Sequence, residues 1–331
     1  MKVVSKLLCI STLLGLISLP TIAAAEASQP NRPECIAPAQ PGGGFDLTCR
    51  IAVTSLQQTK LLEKPMRTIY MPGGIGAVAY NNIINSNPAD PNIIVAFSGG
   101  SLLNLAQGKF GRYTSKDVRW VAAVGSDYGA VVVKKDSPYQ DLKSLMQALS
   151  QDPSQVVFGA GGSVGSQDWM TAALTARAAG VDYKKMRFVA FEGGGESANA
   201  LRGGHVQVLI TGAAEAKELV ESGAPVKVLA VYSDERLPGV FKDTPTAKEL
   251  GYDIDWAIIR GFYVGPKVSD EAYNWWVNAF NQLYKTEEFR KIQEQQGLFT
   301  FEKTGKELDA YVQERVKRYA ELADSFGLIK K

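Results

Sequence analysis

The 331-residue sequence predicts an α/β fold in two domains. Short apolar segments rich in Val, Ile and Phe alternate with helical segments along most of the chain. That is the pattern of mostly parallel sheets buried on both faces. At about 150 residues per domain, the length suits two domains, each able to bury a core of its own. Glycine clusters mark the turns that leave apolar strands, four of them with a helix behind. No long linker or internal repeat separates the domains, so the chain is expected to cross between them more than once.

The first element is a targeting segment. Lys2 and Lys6 precede an apolar run from Leu7 to Leu19, then Pro20 and Ala23-Ala24-Ala25. This describes a secretory signal peptide, residues 1–25, and the run is too short to span a bilayer. Cleavage after Ala25 removes Cys9 and two lysines. The remaining basic residues then balance the 34 acidic ones, which leaves no polyanion-binding signature and no expected nucleic-acid partner. With one histidine, His205, a multi-histidine metal site is excluded, and no metal or other cofactor is expected. Export places the two remaining cysteines, Cys35 and Cys49, in an oxidising compartment, where an even count reads as a disulfide; two buried free thiols are the alternative.

In chain order the strands are expected at 35–37, 67–71, 93–97, 119–124, 130–133, 156–158, 187–190, 206–210, 226–231 and 262–264. Each is a short apolar run bounded by turn residues. Ser137-Pro138 is expected to open a helix with Leu142, Leu145, Met146 and Leu149 at helical spacing. Residues 216–221 form another, with Gly223 where a C-terminal cap belongs. Three amphipathic helices end the chain. The first carries Ala272, Trp276, Phe280 and Leu283, and the second is capped by Thr286 ahead of Phe289 and Ile292. The third starts with a capping box of Thr304 and Glu307 before Leu308, Val312, Tyr319 and Leu322.

The glycine clusters are Pro41-Gly42-Gly43-Gly44-Phe45-Asp46, the turns at 72–76, 159–166 and 193–196, and a shorter one at 98–101. Glycine lets backbone approach a ligand, and a helix N-terminus behind the turn adds partial positive charge. Several such turns can surround an anion without lysine or arginine. Gly74-Ile75-Gly76-Ala77-Val78-Ala79 fits a dinucleotide fingerprint, but no acidic residue ends a strand about 20 residues later. A phosphate-binding loop ending in Gly-Lys-Ser/Thr is absent. Gly161-Gly162-Ser163-Val164-Gly165 fits the nucleophile elbow G-x-S-x-G, with Asp182 and His205 in triad order. A secreted serine hydrolase using Ser163 is therefore the alternative function, although His205 follows only 42 residues later, a short return for a hydrolase fold.

Pro41 to Asp46 followed by Arg50, then Pro72-Gly73-Gly74-Ile75-Gly76-Ala77, then Phe158 to Ser166, resemble successive signatures of one family. So do Phe191-Glu192-Gly193-Gly194, Leu201-Arg202-Gly203-Gly204-His205-Val206, and Glu249-Leu250-Gly251. In order they resemble the Bug or TctC-type substrate-binding proteins of tripartite tricarboxylate transporters. One departure is Trp169, which stands where that family's second-domain loop usually has histidine.

The resemblance implies a periplasmic, two-domain binding protein of the type II-like Venus-flytrap kind, monomeric and not an enzyme, with its ligand cleft between the domains. Domain 1 would comprise 26–126 plus 232–331 and domain 2 would comprise 127–231, with crossings near 125–128 and 231–233. The ligand would be a di- or tricarboxylate, citrate foremost, delivered to the transporter's membrane subunits. Its oxygens would meet the amides of Gly43, Gly44, Phe45 and Ser98 and the loop bearing Gly162, Ser163, Gly165 and Ser166. Asp46, which cannot donate when ionised, would cap the helix and hold a bridging water, or cap only. Arg50 and Arg260 are the cationic candidates, each equally able to form a salt bridge. A Cys35–Cys49 bridge would enclose the whole first loop, because a helix after a strand packs back along it.

Overall fold

The computed structural model describes residues 29–329, so the expected signal peptide and Cys9 lie outside the described residues. In chain order the strands are β1 (Glu34–Ala37), β2 (Arg67–Tyr70), β3 (Ile93–Ser98), β4 (Arg119–Lys134), β5 (Val157–Gly161), β6 (Arg187–Phe191), β7 (Val208–Gly212), β8 (Val226–Val231) and β9 (Ala257–Val264). They join in a nine-stranded sheet ordered β2-β1-β3-β9-β4-β7-β5-β6, with β8 also paired to β4. The helices are α1 (Gly44–Gln58), α2 (Ala77–Asn85), α3 (Gly99–Ala106), α4 (Leu142–Gln151), α5 (Gln167–Ala178), α6 (Gly194–Arg202), α7 (Ala213–Glu221), α8 (Asp270–Leu283), α9 (Glu287–Gln295) and α10 (Gly305–Ser325).

β4 joins the two halves of the sheet. Its residues up to Tyr128 pair with β9, and from Gly129 onward they pair with β7 and β8. Two strands were expected here, split around Gly125-Ser126-Asp127-Tyr128-Gly129. Backbone partners on both flanks carry one strand through this polar stretch, with register shifts at Trp120/Ala122 and Ala123/Gly125. The expectation of mostly parallel sheets is also corrected. β1 runs parallel to β2 and β3, and β5 to β6 and β7. Every pairing that involves β4 or β9 is antiparallel, because these strands carry the chain between the halves rather than closing a βαβ unit.

Most helix ends follow local chemistry. Thr286 accepts a bond from the Phe289 amide and caps α9. Gly223 takes a left-handed φ of 75° just beyond α7. Two expectations fail. α4 begins at Leu142, capped by Asp141 and Ser144 in a reciprocal pair, and Ser137 instead accepts from the Tyr139 amide in the preceding turn. The capping box at Thr304 does not form, because its hydroxyl pairs with Asn281 Oδ1.

The first half of the sheet is covered by α1, α8 and α9. Leu47, Leu56, Trp276, Phe280 and Phe289 are buried together there against Phe262. Truncating such an aromatic costs about 3–5 kcal/mol. β3 is buried throughout, whereas β6, at the edge of the second half, has only exposed or half-buried residues. α1 lies back along β1, and Cys35 and Cys49 form a disulfide with Cα atoms 5.7 Å apart. Among the described residues no helix is long and apolar enough to cross a membrane.

Candidate functional site

Strand-to-helix turns from both halves meet around a cavity of about 60 Å³. From the first half come Gly43, Gly44 and Phe45 at the start of α1, Ile75, and Ser98 and Gly100 at the start of α3. The second half supplies Gly161 at the end of β5, Ser166, Gln167 and Asp168 at the start of α5, and Glu192, Gly193 and Gly194 at the start of α6. Glu215 of α7 and Arg260 of β9 complete it.

The two halves are in close contact. A Cβ added at Gly43 would lie 3.1 Å from the Gly194 nitrogen, and one at Gly195 would lie 2.7 Å from the Pro41 carbonyl oxygen. A side chain at Gly195 would force the turns apart, and one at Gly43 would press on the Gly194 amide. Neither Gly43, the N-cap of α1, nor Gly193, the N-cap of α6, has a side chain to satisfy the first-turn amides. Two helix N-termini therefore face each other across the cavity with donors available. In each, an acid in the first turn bonds back to an amide ahead of the helix. Asp46 accepts from the Gly42 amide, and Glu196 accepts from the Glu192 amide.

The charges are close-packed. Arg260 is only 3 % exposed, and its guanidinium lies 2.7 Å from Asp127, which is fully buried, and 3.4 Å from Glu215. Asp127 also accepts from the Ala214 amide and so caps α7 from the neighbouring strand. Burial pushes the Glu215 carboxyl up from its ordinary value against the pull of Arg260. Asp168 is driven to about 7 by burial and by the charge of Glu215. Its carboxylate receives the Gly161 amide at 3.2 Å and the Gln167 side-chain amide at 3.3 Å.

Of the expected contacts, Gly43, Gly44, Phe45, Ser98, Ser166 and Arg260 line the cavity. Several details are corrected. The Ser98 amide is already bonded to the Ser101 hydroxyl. Ser166 caps α5, accepting from Trp169, and donates to the Gly161 carbonyl. Asp46 holds the Tyr70 hydroxyl at 2.6 Å and does not line the cavity. Arg50 turns outward to Asp46 and across to Glu218 on α7. Gly162, Ser163 and Gly165 lie outside the cavity lining. Gly162 packs on Ile75, Gly165 packs against Gln107 and Lys109, and Ser163 is exposed. Among the described residues the Ser163 and His205 side chains make no hydrogen bond, and Asp182 caps the turn at Tyr183–Lys185. Trp169, at the family's histidine position, is buried edge-on against Tyr183 and Phe326, and its neighbour Asp168 faces the cavity.

Sequence reasoning missed Asp127, Gln167, Asp168, Glu192 and Glu215 as site residues. The glycine turn at 193–196 was visible, and the first-turn acids of α5 and α7, Asp168 and Glu215, were the available signal.

Residues 54–328 match the sequence model described as the tripartite tricarboxylate transporter family receptor, TctC. No curated protein sequence matched the chain. Among solved structures the chain is similar to the periplasmic binding protein BugD, at 21% identity over 91% of this chain and 100% of that one, with TM-score 0.81. It is similar to MatC from Rhodopseudomonas palustris with bound malate, at 21% identity over 88% and 98% of the two chains, with TM-score 0.75. A second R. palustris protein, solved with adipate, aligns at 16% identity over 89% and 97%, with TM-score 0.77. The two halves of the sheet are thus the two lobes of a periplasmic binding protein fold.

Proposed function

The chain belongs to the tripartite tricarboxylate transporter receptor family, and on that premise we propose that it is a periplasmic receptor for a small carboxylate. It captures the ligand between its lobes and presents it to the membrane subunits of the transporter. The observation that carries this reading is the pair of uncapped helix N-termini, α1 and α6, facing one cavity from opposite lobes. A carboxylate bridging both sets of amides binds the closed form better than the open one, so it drives closure. The solved relatives with malate and adipate support the ligand class.

In this reading the signal peptide is residues 1–25, lobe one is 26–126 plus 257–331, and lobe two is 127–256, where the sequence alone suggests a crossing near 231–233. The boundary at 231 moves to Trp256, because Leu237 and Phe241 pack into the second lobe's core and β9 starts at Ala257. Citrate would bring three carboxylates to a small cavity that already holds Asp168 and Glu215, so a smaller acid suits it better. The exposed Ser163 hydroxyl has no part in this function, and the receptor is a monomer without enzymatic activity.

The test is calorimetric titration of residues 26–331 with a panel of mono-, di- and tricarboxylates, repeated with Gly43→Val. Saturable binding by the wild type, lost in a folded Gly43→Val variant, is expected. Binding that survives unchanged in that variant would remove the α1 turn from the site.

A further inference from the structure

Two residues that line the cavity carry buried polar atoms without a hydrogen-bond partner, one a donor and one an acceptor. Arg260 Nε, on a side chain 97 % buried by its 3 % exposure, has no acceptor, and Gln167 Oε1 is buried without a donor. Asp168 receives only two long bonds, at 3.2 and 3.3 Å, which leaves much of its acceptor capacity open. A buried polar atom without a partner is costly, so a ligand that fits must bring both an acceptor and a donor.

Charge points the same way. Arg260 is the one cation among the lining residues, and Asp127 and Glu215 already hold it. Asp168, Glu192 and Glu215 make the remaining lining charge negative. Glu215 also leans over the α6 turn, where a Cβ at Gly194 would come within 2.1 Å of its Oε1. A bare carboxylate on those amides would meet Glu215 at short range in a site shielded from water. A positive group between the two carboxylates removes that repulsion.

We propose that the ligand is a small zwitterionic amino acid, its carboxylate on the α1 and α6 amides and Arg260 Nε, and its ammonium held by Asp168, Glu215 and Gln167 Oε1. This rests on the carboxylate-receptor reading and narrows it: the acids on α5 and α7 select the amine.

Matched pairs that differ only by ammonium against hydroxyl test it: L-alanine and L-lactate, L-serine and glycerate, L-aspartate and L-malate. Titration of residues 26–331 should show at least one amino acid binding tenfold or more tightly than its hydroxy partner. Asp168→Asn should shrink that ratio at least fivefold. Glu215→Gln provides a second variant, with circular dichroism to confirm folding. Hydroxy acids that bind as tightly as their amino partners, or more tightly, overturn the selection for an amine and leave the carboxylate receptor standing. Binding of neither class up to millimolar concentration overturns both readings.

Discussion

The two turns that face each other across the cavity are built differently. The α1 turn is enclosed by the Cys35–Cys49 disulfide, anchored by Asp46 to Gly42 and Tyr70, and backed by the Trp276–Phe280–Phe289 core. The α6 turn has no covalent tie and follows the exposed edge strand β6. Yet the second lobe holds the acids, Asp168 and Glu215. The first lobe thus presents a pre-ordered set of backbone donors. The second brings side chains whose charge can discriminate among ligands. Rigidity and selectivity sit on opposite walls of one site.

The junction between the walls should be the most sensitive point. Arg260→Met leaves Asp127 buried without its cation, and removing one member of a buried pair costs about 3–5 kcal/mol. Chemical denaturation should show a loss of that size. A loss below about 1 kcal/mol would mean that the ion pair contributes little to holding the lobes together.

Next is the staple. The bridge spans a sequence separation of 14, for which chain entropy predicts about 3 kcal/mol. Cys35→Ser/Cys49→Ser should therefore melt earlier and bind more weakly, because ligand binding must then order the α1 turn. Unchanged affinity in the double variant would confine the disulfide to stability and erase that part of the contrast between the turns.

Acidity probes the other wall. Burial and the charge of Glu215 push the Asp168 carboxyl from 3.8 up to about 7 in the folded chain, so the folded protein binds the extra proton between these limits. Stability of the ligand-free protein should fall as pH rises through that window and level off above it. Glu215 and Arg260 face this carboxyl, together with the Gly161 amide and the Gln167 side chain. An ammonium ligand pairs with the ionised form, so its affinity should rise with pH up to about 7, by at most about tenfold per unit. A purely anionic ligand should show the opposite slope, and titration at pH 5.5 and 7.5 separates the two.

The smallest effect is expected at Ser166. Ser166→Ala removes the α5 cap and its bond to Gly161, at a cost of about 1 kcal/mol in thermal or denaturant unfolding. It should weaken ligand binding only modestly, since its hydroxyl is already occupied. A tenfold loss of affinity in Ser166→Ala would make that hydroxyl a direct contact and shift weight from the acids to the α5 cap.

Local signals were sufficient for much of the molecule. β8 was bounded correctly from its apolar run alone, and Thr286 and Gly223 ended helices as their chemistry requires. The disulfide followed from an even count of cysteines in a chain whose sequence predicts export, and the glycine turns marked where backbone must come close to something else. Interactions between distant segments were not legible. Nothing near Gly125–Gly129 says that β9 and β7 will supply partners on both sides, so one long strand read as two. Arg50, one turn into the helix behind a glycine turn, and Arg260, ahead of Gly261 at a strand, both read as cationic candidates, yet one reaches out to Glu218 and the other is buried on Asp127. Asp168 and Glu215 read as ordinary first-turn acids. Their roles depend on desolvation and on one another's charge across 47 residues of sequence, and those terms exist only once the lobes bring them together. Short-range hydrogen bonding and apolar periodicity are written residue by residue, whereas the field inside a cleft is a sum over groups that only the folded chain makes neighbours.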